Sequence, residues 1–246
     1  MKLDGLHVLI TGGTAGIGLA LAERLLREGA RVSVCGRSEA RAKAAAERLG
    51  PEAAAMTCDL SDPAQHPRLL ADAAAANGPI DVLVNNAGVQ QRMDFTDPQQ
   101  RRAIADEVTI NLTAPMLLTE ALLPQLRGRP NAAIVQVTSG LALSPKASAP
   151  VYCATKAGLR AFTRTLRWQL ADAAPGVRVV EVLPPLVDTA MTRGRGRGKL
   201  SPAAVAEAIV RGLRAERSEI HVGKSTLLRA LVRLSPWLAS LVTRRM

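Results

Sequence analysis

Apolar residues in this chain come in short unbroken runs, separated by longer stretches in which they recur every three or four positions. Leu6-His7-Val8-Leu9-Ile10 is the first run, and others follow at 31–35, 53–58, 80–84, 132–137, 177–183 and 219–222. Runs of this length, bounded by turn residues, read as strands buried on both faces. Between them the period predicts helices over 19–28, 38–49, 63–76, 99–127, 151–172 and 202–214, the fourth bent or broken at Pro115, which has no N–H to give. Strands alternating with helices predict an α/β fold with one doubly wound parallel sheet of about seven strands, helices on both faces and right-handed crossovers. No repeat or linker interrupts residues 1–223, which read as a single domain, and 224–246 form a separate tail.

Composition narrows the picture. Hydrophobic residues make up 48% of the chain but aromatics only 2%, so the core must be aliphatic. So few rings weigh against modules that stack nucleic-acid bases. Cys35, Cys58 and Cys153 are too scattered for a disulfide framework or a metal site, and read as reduced thiols. The N-terminus lacks the apolar run of a signal peptide and no stretch reaches membrane-spanning length, so a cytoplasmic protein is expected. The net charge of +11 is uneven: residues 193–246 carry 12 Lys/Arg against 3 Asp/Glu, whereas the body is nearly neutral.

Chemistry enters at the ends of the strands. The first run leads directly into Thr11-Gly12-Gly13-Thr14-Ala15-Gly16-Ile17-Gly18 and then a helical pattern. Strand, glycine turn and helix open a dinucleotide-binding unit, because glycine lets the backbone approach a pyrophosphate that the helix N-terminus stabilises. In an open parallel sheet, ligands lie beyond the carboxyl ends of the strands. Those ends here carry Cys35-Gly36-Arg37, Cys58-Asp59-Leu60, Asn85-Asn86-Ala87-Gly88, Thr138-Ser139 and Pro184-Pro185-Leu186-Val187. Tyr152 is the only tyrosine, and Lys156 follows it by four positions, one helical turn away on the same face.

With the glycine turn, Asn85-Asn86-Ala87-Gly88, Asn111, Ser139, Tyr152 and Lys156 in this order and spacing, nearly the whole chain resembles a classical short-chain dehydrogenase/reductase. The resemblance implies a Rossmann-type fold and a hydride exchange between a nicotinamide and a carbonyl or alcohol, without a metal. It implies that Tyr152 is the general acid or base, that Ser139 holds the reacting oxygen, and that Lys156 binds the nicotinamide ribose and, with the oxidised ring's positive charge, lowers the tyrosine pKa. Asn111 would orient a water that links Lys156 to solvent. Gly12, Thr14, Gly16, Ile17 and Gly18 would cradle the cofactor, Asp59 and Leu60 flank its adenine, Asn86, Ala87 and Gly88 lie along its ribose side, and Val187 and Thr189 meet the nicotinamide amide.

At the end of the second strand Arg37 stands where an NAD enzyme would carry a carboxylate, which predicts NADP(H), with NAD as the alternative. Two features depart from the family pattern: Ala15 where many NADP-preferring relatives have a basic residue, and Pro184-Pro185 where Pro-Gly is usual. The segments 90–98, 140–151 and 185–187 resemble bacterial oxidoreductases related to those encoded with lipoteichoic-acid D-alanylation genes. Leu141, Leu143, Val89, Met93 and Met191 are expected pocket walls, suiting a mainly apolar small-molecule substrate. A homodimer or homotetramer is expected through the Tyr152 helix and the long helix before it, and no nucleic-acid partner. A non-catalytic nucleotide sensor or membrane-peripheral protein is the competing reading.

Arg193-Gly194-Arg195-Gly196-Arg197-Gly198-Lys199 lies where such enzymes carry a substrate lid, and reads as a solvated loop in preference to one recruiting an acidic substrate. Leu227, Leu231, Leu234, Leu238 and Leu241 recur at helical steps, and Ser235-Pro236 predicts that the tail forms two short helices. Docking on its own domain or a neighbouring subunit is favoured for this tail over an anionic membrane surface.

Overall fold

A computed structural model describes residues 1–96 and 101–244. The strands are β1 (His7–Thr11), β2 (Arg31–Gly36), β3 (Ala53–Thr57), β4 (Val82–Asn85), β5 (Ala133–Val137), β6 (Arg178–Leu183) and β7 (Glu219–His221). All pair in parallel, in the order β3-β2-β1-β4-β5-β6-β7. The chain winds outward from β1 through β2 to β3, then returns to the other side of β1 at β4. That reversal opens a crevice at the carboxyl ends of β1 and β4, with Thr11 and Asn85 on its rim.

The helices are α1 (Gly16–Leu26), α2 (Glu39–Leu49), α3 (His66–Asn77), α4 (Arg101–Val108), α5 (Ala114–Leu126), α6 (Pro150–Ala173), α7 (Pro202–Arg214), α8 (Lys224–Leu234) and α9 (Pro236–Arg244). Alternate side chains of each strand supply two cores. Val8, Ile10, Val32 and Val34 face α1, α2 and α7 on one side, while Leu9, Leu83 and Ile134 face α3, α5 and α6 on the other. Trp168, Trp237 and Phe95 all lie at the surface, so both cores are essentially aliphatic. The three cysteines are buried thiols, and burial pushes Cys35 up to about 12 and Cys58 up to about 11.

Helix boundaries differ from expectation where helix propensity misleads. α1 begins at Gly16 instead of Leu19, so the last glycines of the turn already sit in its first turn. The long helix before β5 is two helices joined by one π turn at Thr109–Thr113, in which the Ala114 N–H reaches back to the Thr109 carbonyl. Pro115 explains the widening, because it cannot donate to the Asn111 carbonyl four residues earlier and its ring crowds that group. The expected beginning of this helix at Gln99 lies outside the described residues. The tail forms the two expected helices, with the break at Ser235-Pro236.

Candidate active site

The glycine turn is fastened to β4 from both directions. Asn86 Nδ2 donates to the carbonyls of Thr11 at 2.9 Å and Gly12 at 3.2 Å, and Thr11 Oγ1 accepts from the Asn86 and Ala87 N–H groups at 3.1 Å each. Asn86 thus spends its amide nitrogen shaping the turn, a role that its expected place beside the ribose did not capture. Gly12 has φ +63°, and a Cβ there would lie 2.9 Å from the Ala87 Cα. Gly16 has φ +56°, with the Thr189 methyl 3.1 Å from where its Cβ would be. Only glycine permits this conformation and this closeness. No side chain caps α1, so its first N–H groups remain available to an anion. This cradle fits a dinucleotide pyrophosphate, and it brings Thr189, 173 positions along the chain from Gly16, to its edge.

On the adenosine side, the Thr14 hydroxyl packs against Gly36, at whose position a Cβ would come within 2.4 Å of it. Arg37 is exposed at the end of β2. Asp59 is fixed by the Ser61 N–H and hydroxyl at 3.0 and 2.7 Å. Burial opposes ionisation of this carboxyl, but Ser61 and the nearby Arg37 charge hold it below the usual carboxylate range. Leu60 is buried beside it.

Ser139, Asn111, Tyr152 and Lys156 converge at the carboxyl ends of β4 and β5. Ser139 follows β5, where its Oγ accepts from the Leu141 N–H at 3.1 Å. Tyr152 and Lys156 share a face of α6, with the ammonium 5.9 Å from the ring centroid. Lys156 is buried and donates to the Val137 carbonyl at 2.9 Å. Asn111 Oδ1 and Lys156 Nζ both lie beside Gly88, 3.2 and 3.5 Å from the position a Cβ there would take. The Asn111 amide holds Val89 from both sides: Oδ1 accepts from its N–H and Nδ2 donates to its carbonyl, each at 2.8 Å, with a further 3.3 Å contact to Thr155 Oγ1. Both amide hydrogens are committed. A water ordered by this residue would therefore use its backbone carbonyl, which Pro115 leaves without the usual donor.

In the protein alone, burial governs the ionisation of the pair. Burial pushes Tyr152 up to about 12, against the favourable Ser139 hydroxyl, while burial lowers Lys156 to about 8. Lys156 alone does not bring the phenol down, because the same desolvation that burdens the phenolate also weakens the lysine's charge.

Glu107, which the sequence pattern passed over, and Arg195 from the basic loop also stand at this site. Glu107, one turn before Asn111, is fully buried, and its carboxylate has no side-chain hydrogen-bond partner among the described residues. Burial raises it to about 7, opposed by the Gln91 amide and the charges of Arg195 and Lys156. In sequence it looks like one polar residue of an amphipathic helix; only its i−4 spacing from Asn111 hints otherwise. Arg195 reaches from the glycine-rich loop to Gln90, donating to Oε1 at 2.5 Å and to the backbone carbonyl at 3.2 Å. The loop expected to be free in solvent is thus fastened beside the crevice. An apolar cleft of about 550 Å³ between α9 and α6 is lined by Leu141, Pro145, Cys153, Ala154 and Ala157. It lies on the flank of α6 turned away from Tyr152 and Lys156.

Comparison with known proteins identifies the family. The family described as short chain dehydrogenase matches residues 6–199. The chain is 47% identical over 194 residues to the uncharacterized oxidoreductase DltE of Bacillus subtilis, covering 78% of this chain and 76% of that one. It is 32% identical over 242 residues to the ketoacyl reductase HetN of a Nostoc species, covering 94% and 83% respectively. A crystal structure of a short chain dehydrogenase from Burkholderia cenocepacia in complex with NADP superposes with a TM-score of 0.86 over 99% of both chains, at 26% identity.

Proposed function

This chain belongs to the short-chain dehydrogenase family and is an oxidoreductase, and from that membership we propose that it interconverts a carbonyl and an alcohol with NADP(H), using Tyr152, Ser139, Lys156 and Asn111. The observation that carries the reading is the convergence of these four residues at the mouth of the glycine-turn crevice. NADPH, when bound, supplies the hydride.

The protein's own groups do the rest. Gly12, Gly16 and the uncapped start of α1 receive the pyrophosphate, and Val187 and Thr189 border the nicotinamide end. Arg37 is exposed where a 2′-phosphate would lie, and no carboxylate stands at that strand end to repel it. Ser139 Oγ holds the substrate oxygen through a hydrogen bond that strengthens as negative charge develops. Tyr152 delivers the proton to that oxygen during reduction and takes it during oxidation. Its high pKa in the protein alone favours the protonated phenol, the form required for reduction. Lys156, anchored on Val137, stands ready to pass a proton toward Asn111 and solvent.

A self-assembling oligomer is supported by Leu117 on α5 and Trp168 on α6, both exposed on the helices expected to pair. The NADP-bound Burkholderia relative supports the choice of cofactor.

The test is titration of NADPH and NADH by fluorescence, followed by turnover of a carbonyl panel. Arg37→Ala should weaken NADPH binding by about 10- to 100-fold while sparing NADH, as expected for losing a charged hydrogen bond. Tyr152→Phe should lower turnover by about 10²- to 10⁴-fold with cofactor affinity unchanged. Binding of neither dinucleotide would overturn the proposal.

A further inference from the structure

Helices α8 and α9 pack in an unusual sense. The residues they bury are small: Ser225, Ala239 and Thr243. Ser225 Oγ donates to the Leu183 carbonyl at 2.7 Å, Thr243 Oγ1 meets Ser144 Oγ at 2.7 Å and donates to the Pro145 carbonyl at 3.0 Å, and the Ala147 N–H donates to the Arg244 carbonyl at 3.2 Å. These contacts fix the pair against the domain. Leu228, Leu231 and Val232 are half-buried, Leu228 against Gly140, but other large apolar residues stay outside, with Leu234 85%, Leu227 72% and Trp237 68% exposed, and Leu238, Leu241 and Val242 exposed alongside them. Six of the ten exposed large hydrophobic side chains among the described residues lie on these two helices. The tail thus rests on its own domain mainly through small and polar residues with Leu228, and leaves Leu227, Leu234, Trp237, Leu238, Leu241 and Val242 exposed. A concentrated apolar patch of this kind marks an interaction surface.

Its charge identifies the partner. Residues 220–246 contain no Asp or Glu, and Lys224, Arg229, Arg233 and Arg244 lie on the same two helices or at their start. Arg229 comes within 4.0 Å of Glu219, which leaves a clear cationic excess. The glycine-rich loop extends this excess, because Gly198 sits against Lys224, with 3.1 Å between its would-be Cβ and the Lys224 Nζ, and Arg193 and Arg197 are exposed. A second copy meeting this face symmetrically would set the same cations against each other. An anionic bilayer satisfies both features: headgroups attract the cations while Leu227, Leu234, Trp237 and Leu241 enter the acyl boundary. No helix among the described residues is long and apolar enough to cross a membrane, so the contact is peripheral.

We propose that α8 and α9 form a membrane-docking face that seats the protein on an anionic lipid surface, with the basic 193–199 loop at its edge. The placement puts the loop that borders the crevice near the bilayer, which suits an apolar substrate drawn from the lipid.

The test is co-sedimentation of the full chain with phosphatidylcholine vesicles, with and without phosphatidylglycerol. The wild-type protein should pellet with the anionic vesicles, less at high salt and much less with phosphatidylcholine alone. Leu234→Glu with Trp237→Glu, both highly exposed positions, should leave the thermal melt and NADPH binding unchanged and reduce vesicle binding at least tenfold. Lys224→Gln with Arg233→Gln should reduce it by about fivefold for each cation removed. Equal pelleting of wild type and the glutamate variant would overturn the proposal. So would a glutamate variant that changes the oligomer's mass in light scattering while wild type ignores both vesicle types, which would assign the face to a second copy.

Discussion

Asn111 holds both the N–H and the carbonyl of Val89 at 2.8 Å, tying the π turn between α4 and α5 to the backbone just past Asn85-Asn86-Ala87-Gly88. This clamp positions the segment that carries Gln90, the partner of Arg195, so one amide organises two sides of the crevice. Asn111→Ala should destabilise the fold by about 2–4 kcal/mol, since it leaves the Val89 groups unsatisfied. It should also lower turnover. Urea denaturation measures the first effect. Asn111→Asp removes the donor to the Val89 carbonyl and should recover only part of the loss.

Glu107 makes stability depend on pH with a definite sign. Its folded pKa of about 7 lies above its ordinary value of 4.5, so between these values the native state binds more protons than the unfolded one. Stability should therefore fall as pH rises through this window, by about 3 kcal/mol in all at roughly 1.4 kcal/mol per pH unit. Urea midpoints of wild type and Glu107→Gln across this range should diverge, with the variant gaining relative stability toward pH 7. Parallel curves would remove the assignment.

Arg195 should act as a latch for the 193–199 loop. Arg195→Ala removes both contacts to Gln90, and amide exchange in the loop should quicken by about fivefold, the effect of losing about 1 kcal/mol of partly exposed hydrogen bonding. Hydrogen-exchange mass spectrometry reads this directly. If the arginine instead recruits anionic substrates, exchange will stay the same and the salt dependence of kcat/KM will change.

Beneath the site, Arg160 forms an ion pair with the fully buried Glu181 at 2.5 Å and the Thr138 hydroxyl donates to it at 2.7 Å. Burial nevertheless raises the Glu181 pKa. Arg160→Ala should cost about 3–5 kcal/mol because it strands a buried charge, and Glu181→Gln in that background should recover part of it. Thermal or urea unfolding of the single and double variants provides the check.

The sequence alone determined the order of strands and helices, the glycine turn, the rim that carries Ser139 and the helix face that pairs Tyr152 with Lys156. These depend on local periodicity, on turn chemistry and on the rule that parallel strands present their carboxyl ends together. Tertiary structure decided what the polar side chains do. Asn86 pins the glycine turn, Asn111 clamps Val89, and Arg195 meets Gln90 across 105 positions of chain, pairings no short-range pattern encodes. Glu107 reads as a surface residue of a helix until the packing of α4 against α6 removes its water. The tail shows the same limit: its leucine stripe was legible, but which side faces the domain depends on Ser225 and Thr243 finding carbonyls and a hydroxyl far away in sequence.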